Sequence, residues 1–134
     1  MTVGASRLAL TVALSLVSSP SIGVPKERLI SKTQAEALAQ AALTPGERKV
    51  GAGLGGSEID SRGYLILTLV PSRGEGFLNF AVDRRTGDVW SASSECLEIT
   101  NGRLRSLQAK LRRQLGISQA AYQKLKTHGP LCER

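Results

Sequence analysis

The chain holds 134 residues, with 18 Lys and Arg against 11 Asp and Glu, a formal net charge of +7, and only 4% aromatic residues. A chain this short builds one small core, and with one histidine and two cysteines it is poorly supplied for a metal centre. The scarcity of aromatics also argues against a stacking platform for nucleic acid, and no small-molecule cofactor is predicted.

The first segment reads as an export signal. Arg7 precedes the mostly apolar stretch 8–17, which is too short for a membrane-spanning helix of ~20 residues. Pro20 and its neighbouring serines end that stretch, and the small residues Ser21 and Gly23 offer a cleavage point before Val24. Residues 1–23 are therefore expected to be a signal peptide, and 24–134 a single exported domain, periplasmic or secreted. The first cysteine is Cys96, so lipid attachment beside the leader is not expected. In an oxidising compartment Cys96 and Cys132 are expected to pair, closing a loop of roughly 37 residues and contributing on the order of 4 kcal/mol.

Ser31-Lys32-Thr33-Gln34 has the spacing of a capping box, so a helix is predicted to begin there. Ala35, Leu38, Ala39, Ala42 and Leu43 then form one apolar stripe, and Pro45-Gly46 is expected to end the helix. The glycine-rich segment 51–56 reads as a mobile connection or a weak, irregular strand. Gly51, Gly53 and Gly56 spell G-x-G-x-x-G, but a dinucleotide site needs a strand before these letters and a helix after them, the reverse of what is predicted. Strands are predicted over 64–70, 77–83 and 88–92, joined by loops too short for parallel crossovers and so paired as antiparallel hairpins. Leu78, Phe80 and Val82 alternate with Asn79, Ala81 and Asp83, which makes a one-sided sheet that the first helix can cover. After Cys96 the apolar period lengthens. Leu104, Leu107, Leu111 and Leu115 line a helix that Gly116 ends. Ser118 then caps a short helix through Leu125, with Ile117, Ala121, Tyr122 and Leu125 facing inward.

Chemistry is sparse. Residues 103–134 hold eight Lys and Arg and one Glu, whereas 24–102 are nearly balanced, so the C-terminal helices carry the excess charge. Around the leucine stripe Arg105 and Arg112 flank one side, Arg103 and Lys110 the other, and Arg113 the back. Charges spread over a whole polar arc fit a solvated face, an acidic protein partner or an anionic membrane surface, and not a focused nucleic-acid groove. Arg105, Arg112, Arg113 and Trp90 are the candidate partner-contacting residues; the strand position of Trp90 fits a core anchor or an interface equally. His128 falls in a breaker segment, and no nucleophile signature accompanies it. The carboxylate pairs Glu58/Asp60, Asp83/Asp88 and Glu95/Glu98 are the only acid–base candidates, and no catalytic or metal-binding residue is assigned.

The run from Ile30 to Ala39 (I-S-K-T-Q-A-E-A-L-A), a strand pair, and the run from Phe80 to Val89 (F-A-V-D-R-R-T-G-D-V) together resemble PepSY domains. The resemblance covers residues 29–92. It implies a polar-capped helix on an antiparallel sheet, a hairpin turned by Asp83 and Gly87, and binding or restraint of a partner rather than turnover. The expected architecture is α+β: an N-terminal helix packed on a three- or four-stranded antiparallel sheet, followed by a C-terminal helical pair. The expected function is a non-catalytic exported protein that modulates or inhibits an envelope or secreted enzyme. Its rivals are a periplasmic immunity protein that neutralises a delivered toxin and a carboxylate-dependent envelope hydrolase.

Overall fold

The computed structural model describes residues 28–92 and 95–126. The predicted signal segment, His128 and Cys132 lie outside the described residues.

Ser31 caps α1 (Lys32–Ala42) as its letters predict: the hydroxyl accepts from the Gln34 N–H while the Gln34 side chain accepts from the Ser31 N–H. Ala35, Leu38, Ala39, Ala41 and Ala42 bury its inner face, and these small side chains let it lie close to the sheet. Pro45-Gly46 does end this helix, but it also opens another, α2 (Pro45–Val50). Proline is tolerated at the first helical position, where its missing N–H has no intrahelical acceptor, and Thr44 and Glu47 complete a second capping box.

Of the two readings of the glycine-rich segment the irregular strand is the one found, as the edge strand β1 (Ala52–Ile59). It pairs antiparallel with β2 (Tyr64–Pro71), which pairs with β3 (Leu78–Asp83) and then β4 (Val89–Ser91), in the sheet order β1-β2-β3-β4. A register shift between Leu54 and Gly56 marks a bulge at Gly55. A Cβ at Gly55 would stand 2.6 Å from Val70 Cγ2, so side-chain volume on β2 is what demands glycine there.

Leu65, Leu67, Leu69, Phe80, Val82 and Val89 share one sheet face and form the main core with Ile30, α1, and Leu104 and Leu111 of α3 (Gly102–Leu115). The opposite face carries a smaller cluster of Tyr64, Ala81 and Trp90. Asn101 caps α3, and its amide also donates to the Ala41 carbonyl at the end of α1. Gly116 adopts φ +72 and stops α3 as predicted. Ser118 caps α4 (Gln119–Leu125). Of the four residues expected to face inward from this last helix only Tyr122 is buried; Ile117, Ala121 and Leu125 are half-buried. The fold is thus α+β, with α1 laid on a four-stranded antiparallel sheet and a helical pair after it. Among the described residues no helix is long and apolar enough to cross a membrane.

Candidate interaction surface

The β3–β4 turn is densely hydrogen-bonded. Asp83 accepts from the Arg85 N–H (2.9 Å) and the Arg85 guanidinium (3.3 Å), while its carbonyl accepts from the Gly87 N–H (2.8 Å). Gly87 closes the turn at φ +79 with Ile30 Cδ1 3.2 Å from where a Cβ would sit. The residues that suggested the turn, Asp83 and Gly87, shape it as expected.

Two side chains one turn apart on α3 bind this turn. Gln108 Nε2 donates to the Gly87 carbonyl (2.9 Å) and Arg112 Nε to the Thr86 carbonyl (2.8 Å). Arg112 Nη2 also donates to Asp88 Oδ1 (2.9 Å), which accepts from Tyr122 Oη at 2.9 Å as well. Thr86 Oγ1 donates to the other Asp88 oxygen (3.1 Å). The Arg112 guanidinium lies 3.8 Å from the centroid of the Tyr122 ring, and Lys126 pairs with Glu98 at 3.6 Å. Burial, then the hydrogen bond and charge of Asp88, raise the Tyr122 pKa above its ordinary value, so the phenol stays protonated as a donor. Lys126 is also shifted upward: burial alone would lower it, and Glu98, Tyr122 and Asp88 outweigh that.

This knot unites two carboxylates, a phenol and two guanidiniums, the raw material of an acid–base site. Its geometry is that of a joint. Each Asp88 oxygen already accepts a side-chain donor, Asp83 is spent on Arg85 and the turn backbone, and both carboxylates are about 2% exposed. The other predicted carboxylate pairs are also dispersed: Asp60 caps the β1–β2 turn through the Arg62 and Tyr64 N–H groups, Glu58 is exposed, and Glu98 faces Lys126. Among the described residues no group of three or more His, Cys, Asp or Glu could hold a metal ion.

The candidate partner residues separate. Arg105 and Arg113 are exposed on α3, beside exposed Arg103 and Lys110. Arg112 turns inward to Asp88 and is spent on the joint. Trp90 is 7% exposed, packed with Tyr64 and Ala81, and its buried Nε1 has no hydrogen-bond partner among the described residues. Cys96, with φ +48, is not a free thiol, while its expected partner Cys132 lies outside the described residues.

Sequence reasoning missed the apolar end of the molecule. Phe77, read as the start of a strand, instead precedes β3 and is 69% exposed, and Val50 at the end of α2 is 43% exposed. A depression of about 310 Å³ beside Phe77 is lined by Thr44, Glu47, Leu78 and Ile99 among others, and one of about 260 Å³ beside Val50 by Glu47, Pro71 and Leu78 among others. The signal for this surface was the run Pro71-Ser72-Arg73-Gly74-Glu75-Gly76, which leaves Phe77 at a hairpin rim with no apolar neighbour before it.

No family profile matches the sequence, and no curated protein matches it. Among solved structures the fold is similar to a chain in the structure of a type VI secretion system effector–immunity complex from Pseudomonas protegens. The two share 21% identity with a TM-score of 0.50, over 74% of this chain and 88% of that one.

Proposed function

We propose that this chain is an exported, non-catalytic immunity protein that neutralises a delivered toxin by binding it. The observation that carries this reading is the fold held in common with a chain of an effector–immunity complex. Two features support it. The buried ionisable groups around Asp88 are committed to holding the helices on the sheet, which leaves recognition to the surface. That surface offers exposed apolar groups at Phe77 and Val50 and exposed cations at Arg103, Arg105, Lys110 and Arg113, a mixture suited to an acidic protein partner. The same surface would serve an inhibitor of an envelope or secreted enzyme, the function that the PepSY-like letters imply. Export through residues 1–23 and a Cys96–Cys132 bond complete the proposal.

Co-expression tests it. Cells making a periplasm-directed toxin encoded beside this chain are expected to survive when the full chain is present and to die when the chain starts at Val24. Purified chain and toxin are expected to form a stable complex. Survival without complex formation, or turnover of a peptidoglycan or peptide substrate that Glu98→Gln abolishes, would defeat the proposal.

A further inference from the structure

The two edges of the sheet are finished differently. At β4 the chain folds back on itself: the Ser91 N–H donates to the Leu97 carbonyl (2.8 Å), the Ile99 N–H to the Val89 carbonyl (2.8 Å), and Trp90 bridges Glu98. That edge is closed. At β1 the Asp60 N–H donates to the Tyr64 carbonyl and the Ser72 N–H to the Gly51 carbonyl, which fixes which residues face β2. By antiparallel alternation Gly53, Gly56 and Glu58 bond inward, while the backbone groups of Ala52, Leu54, Ser57 and Ile59 point away from the sheet. The Ala52 carbonyl is covered by Gln40 Nε2 at 2.8 Å. From Leu54 to Ile59 no element among the described residues covers the rest.

An open edge is a template for another strand unless something blunts it. The usual devices are charged side chains, proline, a bulge or a covering loop; from Leu54 to Ile59 there are the bulge at Gly55 and the single charge of Glu58, but no lysine, no proline and no covering loop among the described residues, and Ile59 is 58% exposed. Beside it is a depression of about 220 Å³ lined by Lys32, Ser57, Glu58, Ile59, Leu65 and Arg84. Its two cations outnumber its one acid. Neither Lys32 nor Arg84 has an ion-pair partner among the described residues, and Arg84 is held in place by its Nε bond to the Ile30 carbonyl (3.1 Å).

We infer that the free edge of β1 captures an extended, acidic segment of the partner protein by strand addition. Backbone bonds to Ser57 and Ile59 supply the pairing, and a carboxylate directed at Lys32 and Arg84 sets its register. This rests on the binding reading above and specifies how the partner docks.

The probe is a capped peptide of about eight residues alternating valine and glutamate, long enough to match a typical strand. Added to the isotopically labelled protein, it is expected to slow amide exchange at Ser57 and Ile59 about tenfold or more. The matching valine–lysine peptide is expected to leave exchange unchanged. Lys32→Glu, an exposed change at a helix N-terminus where acids are tolerated, is expected to weaken binding about two- to fivefold. Ser57→Pro, which removes an outward N–H, is expected to abolish binding; should it misfold, Lys32→Glu and the exchange pattern decide. Equal binding of both peptides, protection at Phe77 instead of β1, or dimerisation of the protein through β1 without peptide would each overturn the inference. Survival in the toxin assay with no peptide capture would remove this docking mode and leave the immunity reading standing.

Discussion

Asp88 shows how much one carboxylate can organise when each of its oxygens finds a donor. Arg112 and Tyr122 reach one oxygen and Thr86 the other, so three segments of chain meet on a single side chain. Breaking a buried pair strands the surviving charge, which typically costs about 3–5 kcal/mol. Asp88→Ala is expected to destabilise the fold by about 3 kcal/mol in urea titrations, and Arg112→Ala by a similar amount. In a double-mutant cycle the two losses are expected to be strongly non-additive; simple additivity would mean that the pair is not coupled. Part of this was legible in the residues. Asp83 and Gly87 announced the turn, whereas Gln108, a polar residue at the stripe position between Leu104 and Leu111, went unread as the contact it makes. The inward turn of Arg112 was not legible, because a helical wheel places it beside the stripe without saying what lies opposite.

At the scale of elements, α1, α3, α4 and the three later strands follow from capping letters and apolar period, because each has a strong local signal. The elements missed or left open are those whose signal is weak or masked. In α2, Pro45-Gly46 reads as a terminator, yet Thr44 and Glu47 spell a capping box around it. In β1, glycine's poor strand propensity is overridden by pairing with β2, a tertiary gain that no local pattern encodes. A helix of six residues has little stability of its own, so α2 depends on its cap. Thr44→Ala is expected to cost about 1 kcal/mol and to speed amide exchange at Arg48 and Gly51, with α1 unchanged. Unchanged exchange in α2 would show that packing, and not the cap, holds it.

For the whole molecule, the raised Tyr122 pKa carries a definite sign. A group titrating higher when folded stabilises the fold fully below its unfolded value, here 10.0, and that contribution is lost as pH rises through the folded value. Lys126, raised from 10.5, acts in the same direction. Thermal melts are therefore expected to fall as pH rises beyond 10.0, and less steeply for Tyr122→Phe, which has no phenol to ionise. Equal slopes for the two proteins would remove Tyr122 from that account. The grip on Asp88 also has a temporal side. The turn, α3 and α4 follow one another along the chain, and α4 has nothing to dock on until hairpin and α3 have assembled. The final segment then acts as a latch that closes late, and a Tyr122→Phe substitution should accelerate unfolding while leaving the refolding rate nearly untouched.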